Sequence, residues 1–446
     1  MAEYLHLIVL FLLIGLVFLG VEVAVSLGLV SLLAMWLSTG DWEITLSFMS
    51  NTAYEALRDY VFAVVPLFLL MGEFIARSGI AFDLFWVIDR WLSRLPGRFA
   101  YATVLGNVVF SFVSGTSLAS ATTFTSIAYP QMKRSGYVDH FSLGLISGSA
   151  CLGMLIPPSL LMVVWGILTD ISIGHLFLAG IIPGFLLAGM MMLYIAVVSV
   201  VRPHVVGHHP TGTVQPEAAS RADTRPTPSL FDLWLSGIGL AAIVVGALGG
   251  IWAGIFTPTE GAGMGALVAL AVGLIKGMRR DDVIDVVLTV GRVAVPLMIL
   301  VFAAQLYSRT LAMSGMGNQI QAMILSAEWG VGATVLFMVA IWMVLGMFID
   351  SISIMLLTVP IFWPIAKALG MDPLAFAMIG ILIVEAGLLT PPFGMVVFAV
   401  KSVVPNKDVT MGEIFKGSTP FMLLLLVVST LIYFFPPLAS WLATWM

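Results

Sequence analysis

The stretch Ser114-Gly115-Thr116-Ser117, followed by Pro130 and then by Gly153-Met154-Leu155-Ile156-Pro157-Pro158-Ser159, decides how this chain is read. It recurs as Asp350-Ser351-Ile352-Ser353, Pro364 and Gly387-Leu388-Leu389-Thr390-Pro391-Pro392-Phe393-Gly394. Ser117 precedes Pro157 by 40 residues and Ser351 precedes Pro391 by 40; Pro130 and Pro364 each stand 27 before the same prolines. Each copy sets Ser, Thr, Gly and Pro inside segments otherwise built of Leu, Ile, Val, Phe and Met. Unwound backbone at membrane depth is tolerated only where it is buried in protein or lines a cavity. Paired interruptions at corresponding positions of two halves are the sequence pointer to a midplane binding site in a secondary transporter.

Composition agrees. Of 446 residues, 60% are hydrophobic and 10% charged, with a mean hydropathy of +1.08, whereas a soluble domain carries about 25% charged residues. A span takes roughly 20 apolar residues, so the chain reads as an all-α polytopic membrane protein of about 10–12 transmembrane helices. The net charge of -5 comes with no basic stripe, which excludes nucleic acid as a partner. The single cysteine, Cys151, rules out an internal disulfide framework and reads as a small apolar core residue. The run 5–37 lacks a basic n-region and a clear cleavage site, so it reads as retained membrane helix, one tilted span or two short ones. The histidines, at 6, 140, 175, 204, 208 and 209, stand mostly outside the breaks, which argues against an enzyme. A channel is disfavoured because polar residues gather at two breaks and not along a continuous stripe.

Five basic clusters hold 14 of the 19 Lys and Arg residues: Arg90, Arg94 and Arg98; Lys133 and Arg134; Arg202, Arg221 and Arg225; Lys276, Arg279 and Arg280; Lys401, Lys407 and Lys416. If all are cytoplasmic, residues 99–130 dip in from the inside and turn at Ser114 to Ser117. By the same rule 331–366 dip in from the outside and turn at Asp350 to Ser353. The two copies then have opposite orientation, an inverted repeat reached from charge placement alone. Tryptophans 42, 91, 165, 252, 329 and 445 read as interfacial anchors.

The organisation expected is N-terminal scaffold helices over 1–59 and a first half over 60–201, with hairpin 99–130 and broken helix 139–168. A polar cytoplasmic linker follows over 202–229, then a connecting helix pair over 230–282. The second half, 283–446, holds hairpin 331–366 and broken helix 373–400. Val65-Pro66-Leu67 and Val295-Pro296-Leu297 open the helices upstream of each copy. His204, His208 and His209 in the linker read as part of a solvated loop, because no carboxylate or thiol keeps ligand spacing.

A partly dehydrated monovalent cation needs about five or six oxygens, and unwound backbone carbonyls with Ser and Thr hydroxyls are the readiest supply in a membrane. Ser114, Gly115, Thr116 and Ser117 are therefore expected to face Gly153, Ile156, Pro157 and Ser159 around one ion. Asp350, Ser351 and Ser353 are expected to face Gly387, Thr390 and Gly394 around another. Proline frees carbonyls by removing a backbone donor. Helix N-termini after each break suit an anionic substrate, with Ser117, Pro158, Ser159, Ser353, Pro392, Gly394 and Arg309 as candidate contacts. The bland alternative is that these residues only pack or kink helices. Asp350 can equally be a plain N-cap, and Arg309 can snorkel. Glu73, Arg77, Glu260 and Glu385 are further ionisable groups inside apolar segments, where such groups are functional candidates by default; Glu385 lies just before the second break.

The string Pro66-Leu67-Phe68 through Gly72, the Ser114 to Ser117 tip, Ile156-Pro157-Pro158-Ser159, Phe256-Thr257-Pro258-Thr259-Glu260 and Leu389-Thr390-Pro391-Pro392-Phe393-Gly394 together resemble the large membrane subunit of a tripartite ATP-independent periplasmic (TRAP) transporter. The resemblance covers essentially the whole chain. It implies an elevator-type fold in the bacterial inner membrane, with two hairpins and two broken helices. It also implies uptake of a small organic acid anion driven by about two sodium ions, with the cargo at a midplane site. Two partners are implied: a periplasmic substrate-binding protein and a separate small four-helix membrane subunit. No ATP site is expected, and no P-loop motif occurs. A standalone divalent-anion sodium symporter, which needs no binding protein, is the alternative. The long linker and the polar Asp350-Ser351-Ile352-Ser353 tip depart from the family pattern, and the second leaves that ion's ligand set open.

Overall fold

The computed structural model describes residues 5–58, 60–207, 228–404 and 408–445. Their secondary structure is helical apart from one isolated antiparallel bridge, Tyr137 to Val206. Seven of the described helices are long and apolar enough to cross a membrane, and eight if the pair Asp139–Leu155 and Leu160–Thr169, bent by 40°, counts as one span. Five further apolar helices run 10–17 residues. Three of these, Arg98–Ser114, Gly330–Gly346 and Pro373–Gly387, stop at a tip or a break, so a full crossing of roughly 20 residues is not asked of them.

The N-terminal run is two short helices, Leu5–Phe18 and Val23–Thr39, divided where Gly20 takes φ 83°. The connecting pair is Leu230–Trp252, whose middle widens to a π-helix over Ala242–Leu248, and Pro258–Ile275. The second member starts as its sequence dictates: Pro258 sits at the first helical position, and Thr257 and Glu260 cap each other reciprocally. Its small residues Gly261, Ala262, Gly265, Ala266 and Ala269 are buried; Gly261 faces Ile251 of the preceding helix, and the helix as a whole lies against Val64–Arg77. The approach is close: a methyl group on Gly265 would stand 2.4 Å from the sulfur of Met71. Small residues admit such helix contacts in membranes, where no hydrophobic force drives them.

The two halves interlock crosswise. Leu160–Thr169, which follows the first break, packs on Ser351–Ala368 of the second hairpin. Met395–Val403, which follows the second break, packs on Ser117–Arg134 of the first. From the same helix Trp165 also reaches two neighbouring elements of the second half, its ring centroid lying 6.3 Å from Trp342 of Gly330–Gly346 and 5.7 Å from Phe376 of Pro373–Gly387. Trp342 also donates its ring N–H to Thr358 Oγ1 at 2.8 Å. Trp165 is therefore fully buried and no interfacial anchor, because its neighbours across the seam supply the apolar surface a lone tryptophan would seek at a headgroup. Trp42, Trp91, Trp329 and Trp445 are exposed.

The linker begins later than the sequence implies. Pro203–Val205 makes a 3₁₀ turn, Val205 and Val206 are buried, and Val138 N–H donates to the Val205 carbonyl at 3.1 Å. A methyl on Gly207 would fall 1.9 Å from the Ser135 carbonyl oxygen, so this end of the segment is seated on the turn after the first hairpin. His208, His209, Arg221, Arg225 and Lys407 lie outside the described residues.

Candidate functional site

In the first half the hairpin arms are Arg98–Ser114 and Ser117–Arg134. The turn forms because Gly115 takes φ 62° and Thr116 is extended, its hydroxyl capping the second arm by accepting from Ala119 N–H at 3.3 Å. The broken helix runs Asp139–Ala150, Leu152–Leu155 and Leu160–Thr169. Ile156 is extended, the Pro157–Pro158 bond is cis, and Ser159 caps the helix that resumes. Tip and break are joined: Leu160 N–H donates to the Gly115 carbonyl at 3.1 Å. Methyl groups on Gly115 and Gly153 would stand 3.0 Å from Pro158 O and 2.7 Å from Thr116 O. Only glycine lets these backbones approach so closely.

The second half repeats the arrangement with different chemistry. Gly330–Gly346 and Ser351–Ala368 form the hairpin, and Pro373–Gly387 and Met395–Val403 the broken helix. Pro391–Pro392 is cis, and Phe393 N–H donates to the Met347 carbonyl at 3.2 Å, again tying tip to break. Gly346 and Gly387 touch: a methyl on Gly346 would lie 2.6 Å from the Gly387 Cα. Asp350 caps Ser351–Ala368, its Oδ1 accepting from Ile352 and Ser353 N–H at 3.1 and 3.0 Å and its Oδ2 from the Ser353 hydroxyl. Thr390 donates to Ala386 O at 2.9 Å. The two breaks differ in exposure. Ile156, Pro157, Pro158 and Ser159 are buried, whereas Pro391, Pro392 and Phe393 are exposed and Gly394 is buried.

The structure thus brings Gly115 to Pro158 and Leu160 and Thr116 to Gly153, turns the Ser114 hydroxyl toward Ser120, and sets Asp350, Ser351 and Ser353 on the hairpin whose first arm meets Gly387 at Gly346. Arg309 is not part of either group: its guanidinium pairs with Glu55 of Trp42–Arg58. Glu73 and Arg77 pair with each other one turn apart at 3.7 Å, and Glu260 is the capping residue already described. Among the described residues no three His, Cys, Asp or Glu side chains converge as a metal cluster, so hydroxyl and carbonyl oxygens, with single carboxylates, are the donors these tips offer. Ser114 and Ser120 hydroxyls lie 3.2 Å apart. The Ser117 hydroxyl is fully buried and lies beside the carboxyl of Glu385, itself buried on Pro373–Gly387.

Two broken helices and two hairpins, held at their tips and buried in a multi-span bundle, define a membrane transport protein and not an enzyme. Comparison agrees at three levels. The family model of the DctM component of the tripartite ATP-independent periplasmic transporters matches residues 10–438, and the chain belongs to that family. It is similar to the C4-dicarboxylate TRAP transporter large permease protein DctM of Pseudomonas aeruginosa, with 32% identity over 94% of both chains. It is also similar to the ectoine/5-hydroxyectoine TRAP transporter large permease protein UehC of Ruegeria pomeroyi, with 33% identity over 88% of both. The fold matches the YdaH transporter of Alcanivorax borkumensis with a TM-score of 0.65 and 15% identity, covering 91% of each chain. The chain is accordingly a multi-pass inner-membrane subunit of a binding-protein-dependent transporter.

Proposed function

We propose that this subunit carries a small organic acid anion inward by an elevator mechanism coupled to about two sodium ions, one at each tip-and-break pair. The observation that supports this best is the matched pair of backbone hydrogen bonds, Leu160 to Gly115 and Phe393 to Met347. Each ties a polar tip to the break of its own half. In the first half Ser114, Gly115, Thr116 and Ser117 with Gly153, Ile156 and Pro157 hold one cation. In the second, Asp350, Ser351 and Ser353 with Gly387 and Thr390 hold the other. The anion sits between them, against Ser117, Pro158, Ser159, Ser353, Pro392 and Gly394, where helix N-termini present N–H groups to a carboxylate. Arg309, engaged by Glu55, is left out of this reading.

The transport unit slides against a scaffold that includes a small four-helix membrane subunit, and a periplasmic protein delivers the solute. The relatives named for C4-dicarboxylates and for ectoine support a carboxylated solute as the cargo class. The test is uptake by proteoliposomes that hold this chain with its small subunit and are supplied with the cognate binding protein and labelled solute. An inward sodium gradient should drive accumulation and an equal choline gradient should not. Equal uptake in both would overturn the coupling. Uptake with no binding protein present would replace the reading by a standalone symporter.

A further inference from the structure

The turn that carries the chain from Ile80–Trp91 into the first hairpin holds a cavity of about 410 Å³. Arg94, Gly97 and Arg98 of that turn line it, with Ser135 and Tyr137 of the turn after the hairpin and Gly207 at the end of the segment seated there. The basic clusters put this face on the cytoplasmic side. Its two guanidinium groups are held differently. Arg94 is exposed and makes no ion pair among the described residues. Arg98 is fixed, its Cζ 4.6 Å from the centroid of the Phe99 ring and its Nε 3.3 Å from Asp89 Oδ1. Asp89 answers one of the two charges, and no Asp or Glu lines the cavity among the described residues, so one positive charge is unmatched. A hydroxyl is unmatched as well: Ser199 Oγ, on Ile173–Val201, is buried without a hydrogen-bond partner. It stands against Gly97, where an added methyl would lie 2.7 Å away. The surroundings are apolar. Trp91 and Leu95 flank Arg94 in the chain, Val200 and Val201 follow Ser199, and all four are exposed.

We propose that this cavity binds the phosphate of an anionic phospholipid, with Arg94 and Arg98 on the phosphate oxygens and the exposed apolar side chains along the acyl chains. A guanidinium presents a planar fork of N–H donors that matches phosphate, and the phosphate supplies the negative charge that Asp89 alone does not. Basic pockets between spans on the cytoplasmic side suit such headgroups. Soluble phosphate offers the same oxygens, but it makes no use of Trp91, Leu95, Val200 and Val201, and these favour the lipid as the source. The bound lipid joins Ile80–Trp91, the first hairpin and the end of Ile173–Val201 at one point of the membrane surface.

The test is native mass spectrometry of the complex purified with its small subunit, titrated with phosphatidylglycerol, with phosphatidylcholine and with inorganic phosphate. The natural complex should take up phosphatidylglycerol in preference to phosphatidylcholine. The affinity for the first lipid should fall about fivefold in Arg94→Gln and about thirtyfold in the double variant Arg94→Gln/Arg98→Gln. Arg90 is the control for diffuse surface charge: it stands on the same helix end but outside the cavity, its guanidinium 5.2 Å from the Trp86 ring centroid, and Arg90→Gln should leave the first affinity unchanged. Equal losses in Arg90→Gln and Arg94→Gln, or no preference for the anionic lipid, overturn the proposal. Inorganic phosphate that binds and excludes phosphatidylglycerol overturns the lipid as the source. Should the double variant fold poorly, Arg94→Gln, a change at an exposed side chain, decides alone.

Discussion

Gly144 and Gly417 meet backbone to backbone. A methyl group on Gly144 would lie 2.0 Å from the Gly417 carbonyl carbon, and one on Gly417 would lie 1.7 Å from the His140 carbonyl oxygen. This contact seats Asp139–Ala150, the first arm of the broken helix, on Met411–Phe434, and backbone atoms cannot yield as a side chain can.

Either Gly144→Ala or Gly417→Ala should therefore force the two helices apart, at a cost of about 3 kcal/mol, the upper end of ordinary overpacking. Gly189→Ala, where the added methyl meets nothing within 4 Å, should stay within about 0.5 kcal/mol of the parent. Thermal unfolding followed by size-exclusion chromatography in detergent separates the cases; equal melting temperatures for all three would refute the contact.

Asp83, Ser236 and Lys276 form a second test of packing. Lys276 and Asp83 are ion-paired, each with 8% of its side chain exposed. Ser236 donates to Asp83 Oδ2 at 2.6 Å and accepts from Lys276 at 2.8 Å. Asp83→Asn leaves the ammonium group buried without its charge partner and should cost about 3–5 kcal/mol. Ser236→Ala removes one hydrogen-bonding group and should cost about 1–3 kcal/mol. A smaller loss in Asp83→Asn than in Ser236→Ala, measured by the same thermal assay, would show that the pair is solvated.

At the second tip, capping and ion binding can be separated. Asp350→Ala loses both the cap, worth about 1 kcal/mol, and the carboxylate. Asp350→Ser keeps a capping oxygen and loses only the charge. Sodium activation of uptake should be weakened about tenfold in both, a change of about 1.4 kcal/mol, with thermal stability restored in Asp350→Ser. If Asp350→Ser also recovers normal sodium activation, the carboxylate is a cap and nothing more.

At the first tip Ser117→Ala should raise the sodium concentration for half-maximal uptake by about tenfold, again about 1.4 kcal/mol, with a stability loss of about 1 kcal/mol for its contact with the buried Glu385 carboxyl. Unchanged sodium activation in Ser117→Ala and Asp350→Ala together removes the site assignment.

The exposure difference between the breaks predicts one-sided access. A cysteine in place of Phe393, 51% exposed, should react with a charged, membrane-impermeant thiol reagent, and one in place of Ser159, 1% exposed, should not. The native Cys151 is 1% exposed and supplies the unreactive background. Equal labelling at both positions, read by mass shift, would show that the two breaks are equally open.

Much of the fold was legible because its interruptions are written in residue types that cannot continue a helix. Gly115, Thr116 and the Pro157–Pro158 pair mark their turns by backbone chemistry alone, so the hairpin arms end where the motifs stand. The division of 5–37 into two helices turned on one glycine conformation, which sequence left open. Trp165 and Val205 were misread for the same reason: each is an apolar residue whose burial comes from a distant segment, Trp342 in one case and the Tyr137 turn in the other. Arg309 was placed at the site on charge, and only the fold shows Glu55 waiting for it. The proximity of Glu385 to Ser117 has no sequence signal beyond an acid in an apolar run, because 268 positions separate the two.

The crosswise seating of the helices after each break bears on where such a chain comes from. Cut between its halves, the protein would leave Leu160–Thr169 without the hairpin it lies on, and Met395–Val403 likewise. A half-length forebear of this fold would have needed a second, complementary copy to seat its break, each lending the other its floor.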